Sequence, residues 1–401
     1  MDHLLEWKAS CVDEELTRLN VLPLNGSCPS EYLLYSDAIP RRNDGRISEG
    51  FLQRYEHTTE GGWWCSGIDV LTGEEDTWGC FKPDIPRLSQ NKGKAIKYEH
   101  PPKAPTGLFA LKFPLHLWEK IANRYGISIL PTDIDKEKPD RGFWQWFIKH
   151  SVIPLCVTEG AKKAGALLSA GYAAVALPGI NSGYRTPKDE LGNRIGKSHV
   201  IPQLQKLVSG SREIYIVFDR DSKPNTVKAV DAAIRKIGYL LQQTGCSVKV
   251  ITWDNTLGKG VDDFIANCGR DSFDRAYDTA SSFEVWKAKA GTRLTHTPQI
   301  EVNSRYLPEL EIATEAKLIG LKSPKGTGKT SLLESIVLRA KQSQQKILVI
   351  GHRVQLVQAL CQRFGIKYIT EIGNNFQNNS QISQNNLKFN SPCSPISQSP
   401  H

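Results

Sequence analysis

The stretch LCVTEGAKKAGA, residues 155–166, places a carboxylate, Glu159, at the point where an apolar run stops. A charge in that position costs free energy unless water, a partner or a metal ion compensates it. The residues that follow predict a helix, because alanines and leucines between 161 and 168 share one face and Gly171 ends the pattern. The stretch therefore predicts a buried strand that leads into a helix, with Glu159 at the junction.

The same alternation of apolar run and amphipathic helix continues along the chain to about residue 268. Further strands are predicted over YAAVALPG, EIYIVFD and SVKVITW, and further helices over NTVKAVDAAIRKIGYLLQQTG and VDDFIANCG. Four apolar strands that alternate with helices imply an α/β fold, in which a parallel and mostly buried sheet is flanked by helices. Binding and catalytic sites of such sheets form at the carboxyl ends of the strands.

Acidic residues follow the first, third and fourth of these strands. Asp219 and Asp221 lie in VFDRDS, and Asp262 and Asp263 lie in GKGVDDF. Together with Glu159 they would crowd one edge of the sheet, and a divalent cation is the usual remedy for such repulsion. Oxygen ligands with no nearby His or Cys favour Mg²⁺ or Mn²⁺. The alternative is structural, because these residues also suit turns and helix starts.

Basic residues accompany the acidic ones. Lys162 and Lys163 lie one turn into the helix after Glu159, where an ammonium group could neutralise the carboxylate or contact a phosphate; a solvated helix face fits equally. The insertion NSGYRTPKDELGNRIGKSH is also basic, and it suits either the path of a nucleic-acid strand or a soluble loop.

Composition narrows the class of protein. Lys and Arg total 51 against 42 Asp and Glu, a formal charge of +9 that suits an anionic partner such as nucleic acid. The nine cysteines form no C-x-x-C pair, so neither a disulfide framework nor a zinc ribbon is indicated. The first residues do not resemble a signal peptide, and no apolar run reaches 18 residues, so we expect a cytoplasmic protein with no membrane partner.

The pattern divides the 401 residues into five regions. Residues 1–150 form a mixed α+β region whose tryptophans are expected in the core; whether the region binds DNA or braces the sheet stays open. Residues 151–281 carry the parallel sheet, and residues 282–312 are predicted to be a linker. Residues 313–372 are predicted to form a partial P-loop α/β segment with a strand over KILVIGH, and residues 373–401 a disordered polar tail.

The stretch SPKGTGKT matches the P-loop pattern except that Ser323 replaces the first glycine. Gly326 and Gly328 would let the backbone wrap a phosphate, Lys329 would reach the β and γ phosphates of ATP, and Thr330 would hold Mg²⁺. No acidic strand end follows KILVIGH before the polar tail, so hydrolysis and unwinding by this chain alone are not expected.

The motifs VTEGAKKA, VFDRD and KGVDDF resemble the Toprim fold that bacterial primases, type IA and type II topoisomerases and some nucleases share. With WGCFKPDIPR and KYEHPPK upstream and the P-loop downstream, the chain is more narrowly similar to cyanobacterial plasmid replication proteins, in which a Toprim-like domain of unknown function precedes a helicase-like ATPase. On this resemblance the P-loop segment is a truncated helicase-like module, in which Arg353 would contact DNA.

The resemblance also implies roles for the acidic residues. Glu159 would act in acid–base chemistry or as a metal ligand, and Asp219 and Asp221 would bind Mg²⁺; Asp262 and Asp263 match a further acidic element, which leaves open which of the two matters. The implied function is Mg²⁺-dependent phosphoryl transfer on DNA from nucleoside triphosphates, with primer synthesis as the leading hypothesis. A Toprim nuclease or nicking enzyme and a non-catalytic DNA-binding initiator remain alternatives.

Overall fold

The four strands predicted from the apolar runs between residues 152 and 253 are present, in a chain that divides into two units. The computed structural model describes residues 3–89, 93–208, 210–291, 300–309 and 319–369. The first unit comprises residues 1–294 and the second comprises residues 295–401.

The first unit contains short strands and helices in alternation. Its strands are β1 (Val21–Leu24), β2 (Gly62–Cys65), β3 (Cys80–Pro83), β4 (Leu155–Glu159), β5 (Ala174–Leu177), β6 (Tyr184–Arg185), β7 (His199–Val200), β8 (Glu213–Val217), β9 (Ser247–Val250) and β10 (Ser281–Ser282). Its helices are α1 (His3–Ala9), α2 (Glu14–Asn20), α3 (Cys28–Leu33), α4 (Glu49–Gln53), α5 (Leu115–Arg124), α6 (Phe143–Lys149), α7 (Ala161–Ser169), α8 (Pro202–Leu207), α9 (Pro224–Gln243), α10 (Val261–Cys268), α11 (Arg270–Asp278) and α12 (Phe283–Ala290).

Five of these strands form the central sheet, in the order β10-β9-β8-β4-β5. The pairs β9–β8, β8–β4 and β4–β5 are parallel, and β10 is an antiparallel edge strand. All four residues of β5 and the last four of β8 are buried, as expected for strands that helices cover on both faces. The predicted α/β class, with a parallel sheet flanked by helices, is confirmed.

The first 150 residues pack against this sheet. Strands β1, β2 and β3 form a separate antiparallel sheet, and the predicted helices over HLWEKIANRYG and RGFWQWFIKH are α5 and α6. Trp63 and Trp78 are buried in the same hydrophobic cluster as Val157 of β4, which confirms their expected place in the core. Two backbone hydrogen bonds between Phe109 and Ala176 join this region to the edge of β5.

The sheet unit continues past the predicted boundary at residue 281. Strand β10 pairs with β9, and α12 follows it at once. Phe283 and Trp286, three residues apart on α12, are both buried in the main core. Their spacing places both rings on one face of the helix, so this part of the predicted linker is an ordered element of the first unit.

The second unit contains α13 (Lys329–Gln342) and α14 (Val354–Phe364) among its described residues. The strand predicted over KILVIGH is wrong: residues 345–350 have no regular structure, and Leu348 and Ile350 are 82% and 83% exposed. A strand needs a neighbour to pair with its backbone, and no strand forms anywhere in residues 319–369. The predicted polar tail lies outside the described residues.

No helix in the part of the chain that the structure describes is both long enough and apolar enough to span a bilayer.

Candidate active site

Two buried parallel strands bring Glu159 and Asp219 to one edge of the sheet. Strands β4 and β8 pair directly, with Thr158 opposite Val217, and the Thr158 hydroxyl donates a 2.7 Å hydrogen bond to the Val217 carbonyl. Glu159 is the next residue of β4, and Asp219 follows β8 by two residues. The predicted convergence at the carboxyl ends of the strands is therefore present for this pair.

The chain turns from β4 into α7 at Gly160. The φ angle of Gly160 is +86°, in the left-handed region that glycine adopts without strain. Helix α7 starts at the next residue, so Lys163 lies one turn in and faces back toward the end of the strand. A glycine at this position is what allows strand, carboxylate and lysine to follow one another so closely.

Lys163 neutralises Asp219. Its Nζ lies 2.8 Å from Asp219 Oδ1, and both side chains are about four-fifths buried. This ion pair is the contact that the described structure gives Asp219 Oδ1, although its angles depart from those of a regular hydrogen bond. Asp219 Oδ1 is thus a buried carboxylate oxygen whose described partner is Lys163, and leaving such an oxygen without a partner would be costly in a protein interior.

Glu159 lies in the same electrostatic environment. Burial raises the pKa of its carboxyl group; the nearby charges of Lys163 and Lys259 act in the opposite direction, and Asp219 adds to the increase. A carboxyl group with a raised pKa is a stronger base than an ordinary carboxylate, which suits acid–base work.

Asp221 has a different set of partners. Its carboxylate accepts a 2.8 Å hydrogen bond from the Lys223 backbone N–H and lies 2.9 Å from Lys259 Nζ. These two contacts hold the pKa of Asp221 below its ordinary value. The Arg220 backbone N–H also donates a 2.9 Å hydrogen bond to the Lys259 carbonyl. Lys259 was not predicted as a site residue, although it lies in the KGVDD motif.

The two neighbouring aspartates of α10 have different hydrogen-bond partners. Asp263 accepts a 3.0 Å hydrogen bond from the Gly260 N–H and so caps the helix start. Asp262 is 7% exposed, and its Oδ2 accepts a 3.1 Å hydrogen bond from the Ser10 hydroxyl. No described group donates to Asp262 Oδ1. Burial raises the pKa of Asp262, and the charge of Lys163 opposes that increase.

Glu159, Asp219, Asp221 and Asp262 are called the acidic cluster below. Within the described ranges, no group of three or more His, Cys, Asp or Glu side chains is arranged to hold a metal ion. The chemistry of the donors nevertheless fits Mg²⁺, because they are carboxylate oxygens and one of them, Oδ1 of Asp262, is buried without a hydrogen bond from the described residues. The predicted Mg²⁺ or Mn²⁺ site therefore stays a prediction.

Lys162 points away from the acidic cluster, to the amino-terminal helix. Its Nζ lies 2.8 Å from Glu6 Oε1, while Lys82 and the Trp63 indole N–H bind Glu6 Oε2 at 2.8 and 3.0 Å. Although burial favours a higher pKa, these contacts lower the pKa of Glu6 to about 2. Nothing in the sequence links residue 6 to residue 162, so Glu6 was not predicted.

Two glycines of the P-loop adopt left-handed backbone conformations. Gly326 and Gly328 have φ angles of +81° and +80°, and α13 begins at Lys329, with Thr330 in its first turn. The Lys329 ammonium donates to the carbonyl oxygen of Ser323 at 2.7 Å and to that of the residue after it. The lysine thus contacts its own loop, and nucleotide binding stays a prediction.

The other predicted nucleic-acid contacts are on the surface. Arg353 is exposed and immediately precedes α14. The basic insertion forms a hairpin from β6 and β7, with a further bridge between Lys188 and Arg194, and Leu191 near its tip is 87% exposed. Contact of any of these residues with DNA stays a prediction.

Two protein families match this chain, and their matches cover different parts of it. Residues 143–272 match the family described as a domain of unknown function, DUF3854. Residues 294–394 match the family described as the res subunit of type III restriction enzymes. The first match contains the whole acidic cluster, and the second contains the P-loop.

Similar individual proteins were also found. An uncharacterized protein of Picosynechococcus sp. is 45% identical over 375 residues, which cover 92% of this chain but only 37% of that protein. Two solved structures are similar at low identity: the zinc-binding and RNA polymerase domains of Aquifex aeolicus primase (TM-score 0.38, 15% identity, 69% of this chain and 55% of that one) and the RNA polymerase domain of Mycobacterium tuberculosis primase DnaG (TM-score 0.40, 13% identity, 71% and 78%).

Proposed function

We propose that the first unit carries out metal-dependent phosphoryl transfer on DNA, with primer synthesis from nucleoside triphosphates as the leading reaction, as part of plasmid replication. The observation that carries this proposal is that Glu159 and Asp219 lie at the ends of two paired strands beside Lys163, whose charge also acts on the buried Asp262. The formal charge of +9 suits a nucleic-acid partner.

Each residue of the acidic cluster has a role in this proposal. Asp219 and Asp262 would bind Mg²⁺ or Mn²⁺, and Asp221 would be an additional ligand of the same ion. A bound cation of this kind neutralises charge on a phosphate and lowers the pKa of a coordinated hydroxyl group. Glu159, with its raised pKa, would accept the proton of the attacking hydroxyl, whose oxygen would form the new bond to the α-phosphorus as pyrophosphate leaves. Lys163, which pairs with Asp219 in the structure, would contact a substrate phosphate once the metal ion is bound to that carboxylate.

The P-loop would bind ATP through the backbone around Gly326 and Gly328, with Lys329 and Thr330 at the phosphates and Mg²⁺. Helix α13 starts directly after the loop, which is the arrangement that phosphate binding requires. We do not extend the proposal to ATP hydrolysis, because no acidic strand end follows the loop in residues 331–369.

The proposal is tested by incubating the full chain with Mg²⁺ or Mn²⁺, single-stranded DNA and labelled nucleoside triphosphates. We expect short labelled oligonucleotides from the wild type and none from Asp219→Asn. Asp278→Asn is the matched control, because Asp278 is an exposed aspartate at the end of α11 and should leave synthesis unchanged. Cleavage of the DNA in place of synthesis would replace the primase reaction by a nuclease reaction.

A second candidate function is a non-catalytic DNA-binding initiator. It is favoured by the two ion pairs Lys163–Asp219 and Lys259–Asp221, since these lysines compensate two carboxylates without any metal ion. On this alternative, DNA binding survives simultaneous replacement of Glu159, Asp219 and Asp221, and no metal-dependent product forms with the wild type. A wild-type product that the triple replacement abolishes would exclude it.

A further inference from the structure

The amino-terminal segment runs along α7, the helix that carries Lys163. Glu6 contacts Lys162 in the first turn of α7, and the Asp13 N–H donates a 2.8 Å hydrogen bond to the Ser169 hydroxyl in its last turn. The segment is therefore attached at both ends of the helix.

Between these ends the two segments pack closely. A Cβ atom built on Gly165 of α7 would lie 3.0 Å from a methyl group of Val12 and 3.4 Å from the ring of Trp7. Trp7 is fully buried. Such close packing leaves the amino-terminal segment little room to shift relative to α7.

The end of α1 delivers Ser10 to the acidic cluster. Cys11 adopts a left-handed conformation, with φ of +56°, and the N–H groups of Ser10 and Val12 donate to the Trp7 carbonyl. This turn closes the helix and directs the Ser10 hydroxyl inward. Ser10 is 9% exposed, and its hydroxyl donates to Oδ2 of Asp262, 252 residues away in the chain.

We infer that Ser10 is a positioning residue for the metal site: its hydroxyl fixes Oδ2 of Asp262 and thereby leaves Oδ1 as the oxygen available to a divalent cation. The inference rests on the proposed function, because it takes Asp262 as a metal ligand. A carboxylate with one oxygen held by a hydrogen bond has fewer orientations to lose when its other oxygen binds a cation. Loss of such a supporting hydrogen bond typically weakens metal binding about 10- to 100-fold.

The test measures Mn²⁺ binding to the full chain directly, from the electron paramagnetic resonance signal of free Mn²⁺, without any turnover. We expect Ser10→Ala to weaken Mn²⁺ binding by about 10-fold. Ser10→Thr, which keeps a hydroxyl group, should weaken it much less. Ser169→Ala is the matched control, because it removes a serine hydroxyl from the same interface at the end remote from the acidic cluster. It should leave Mn²⁺ binding unchanged.

A double substitution tests whether Ser10 acts through Asp262. Asp262→Ala alone should weaken Mn²⁺ binding, and adding Ser10→Ala should produce no further loss, because Ser10 then has no carboxylate to position. Additive losses, equal losses in Ser10→Ala and Ser169→Ala, or no loss in Ser10→Ala would overturn the inference while leaving the metal site in place. Absence of Mn²⁺ binding by the wild type would instead overturn the proposed function, and the role of Ser10 with it.

Discussion

The acidic cluster and the P-loop both consist of residues that follow apolar runs in the sequence, yet the secondary structure around the two sites differs. Around the acidic cluster, paired strands are buried on both sides, and Thr158 is hydrogen-bonded across to Val217. Around the P-loop, the apolar stretch that should form the neighbouring strand is exposed at Leu348 and Ile350, and Lys329 contacts its own loop.

The difference shows what a functional motif needs besides its residues. Parallel strands in register place residues 60 positions apart at one edge, and the packing around them keeps them there. A glycine-rich loop can adopt its backbone angles locally, as Gly326 and Gly328 do, but a sheet behind the loop is needed to hold it. We therefore expect substitutions around the acidic cluster to have larger effects than those in the P-loop.

The largest expected effect separates two aspartates within the acidic cluster. Asp219→Asn should lower the metal-dependent rate by about 10³-fold, roughly 4 kcal/mol in the activation barrier, because the buried carboxylate that the proposal assigns to the metal ion is lost. Asp221→Asn should lower the rate by only about 10-fold, because Asp221 is already held by Lys259 and Lys223. Steady-state rates of oligonucleotide synthesis check this difference, and equal losses would contradict it.

The next effect tests the scaffold of the sheet. Arg212 is fully buried, and its guanidinium group donates to four backbone carbonyl groups, those of Phe147, His150, Ile153 and Leu207. Replacing Arg212 by Met leaves those carbonyls unsatisfied, so the free energy of unfolding should fall by about 3 kcal/mol. Urea denaturation followed by tryptophan fluorescence measures the change.

Arg194→Met is the control for that experiment, since Arg194 lies on the exposed hairpin. Its free energy of unfolding should stay within about 0.5 kcal/mol of the wild-type value. If Arg212→Met were equally mild, the sheet would not depend on this buried cation as the contacts suggest.

A smaller effect concerns the amino-terminal helix and depends on pH. The pKa of Glu6 is about 2 in the folded protein against an ordinary 4.5, so its contribution to stability is present above about pH 4.5 and is lost as the pH falls toward 2. Glu6→Gln should therefore lower the free energy of unfolding by roughly 2 kcal/mol near neutral pH.

The difference between Glu6→Gln and the wild type should shrink below about pH 4.5, as the wild-type carboxylate gains its proton. Urea denaturation of both proteins at several pH values checks this trend. A difference that stays constant with pH would mean that the contacts with Lys162 and Lys82 do not lower the pKa of Glu6.

The smallest expected effect on stability belongs to the P-loop. Lys329→Ala removes contacts with two loop carbonyls in a partly exposed segment, so the free energy of unfolding should change by less than about 0.5 kcal/mol. Binding of a fluorescent ATP analogue should nevertheless weaken by at least about 10-fold, because the lysine is the residue that reaches the phosphates. A loss of stability comparable to that of Arg212→Met would show that the two regions are equally well supported.

The sequence was sufficient to predict the neighbours Glu159 and Asp219, because apolar runs identify buried parallel strands and their carboxyl ends share an edge. It could not predict Ser10 or Glu6, because those contacts depend on how α1 packs on α7 and no periodic pattern encodes that packing. Its strand over KILVIGH was wrong because an apolar run reveals propensity, whereas a strand also needs a partner.

The central claim is that the acidic cluster holds a divalent cation, and the most direct measurement is an anomalous difference map from crystals of the full chain soaked in Mn²⁺. We predict a peak beside the carboxylates of Asp219 and Asp262, which disappears in crystals of Asp219→Asn. A map without a peak at the acidic cluster, from protein that is folded and binds DNA, would contradict the claim and leave the ion pairs Lys163–Asp219 and Lys259–Asp221 as the charge compensation that the described structure shows.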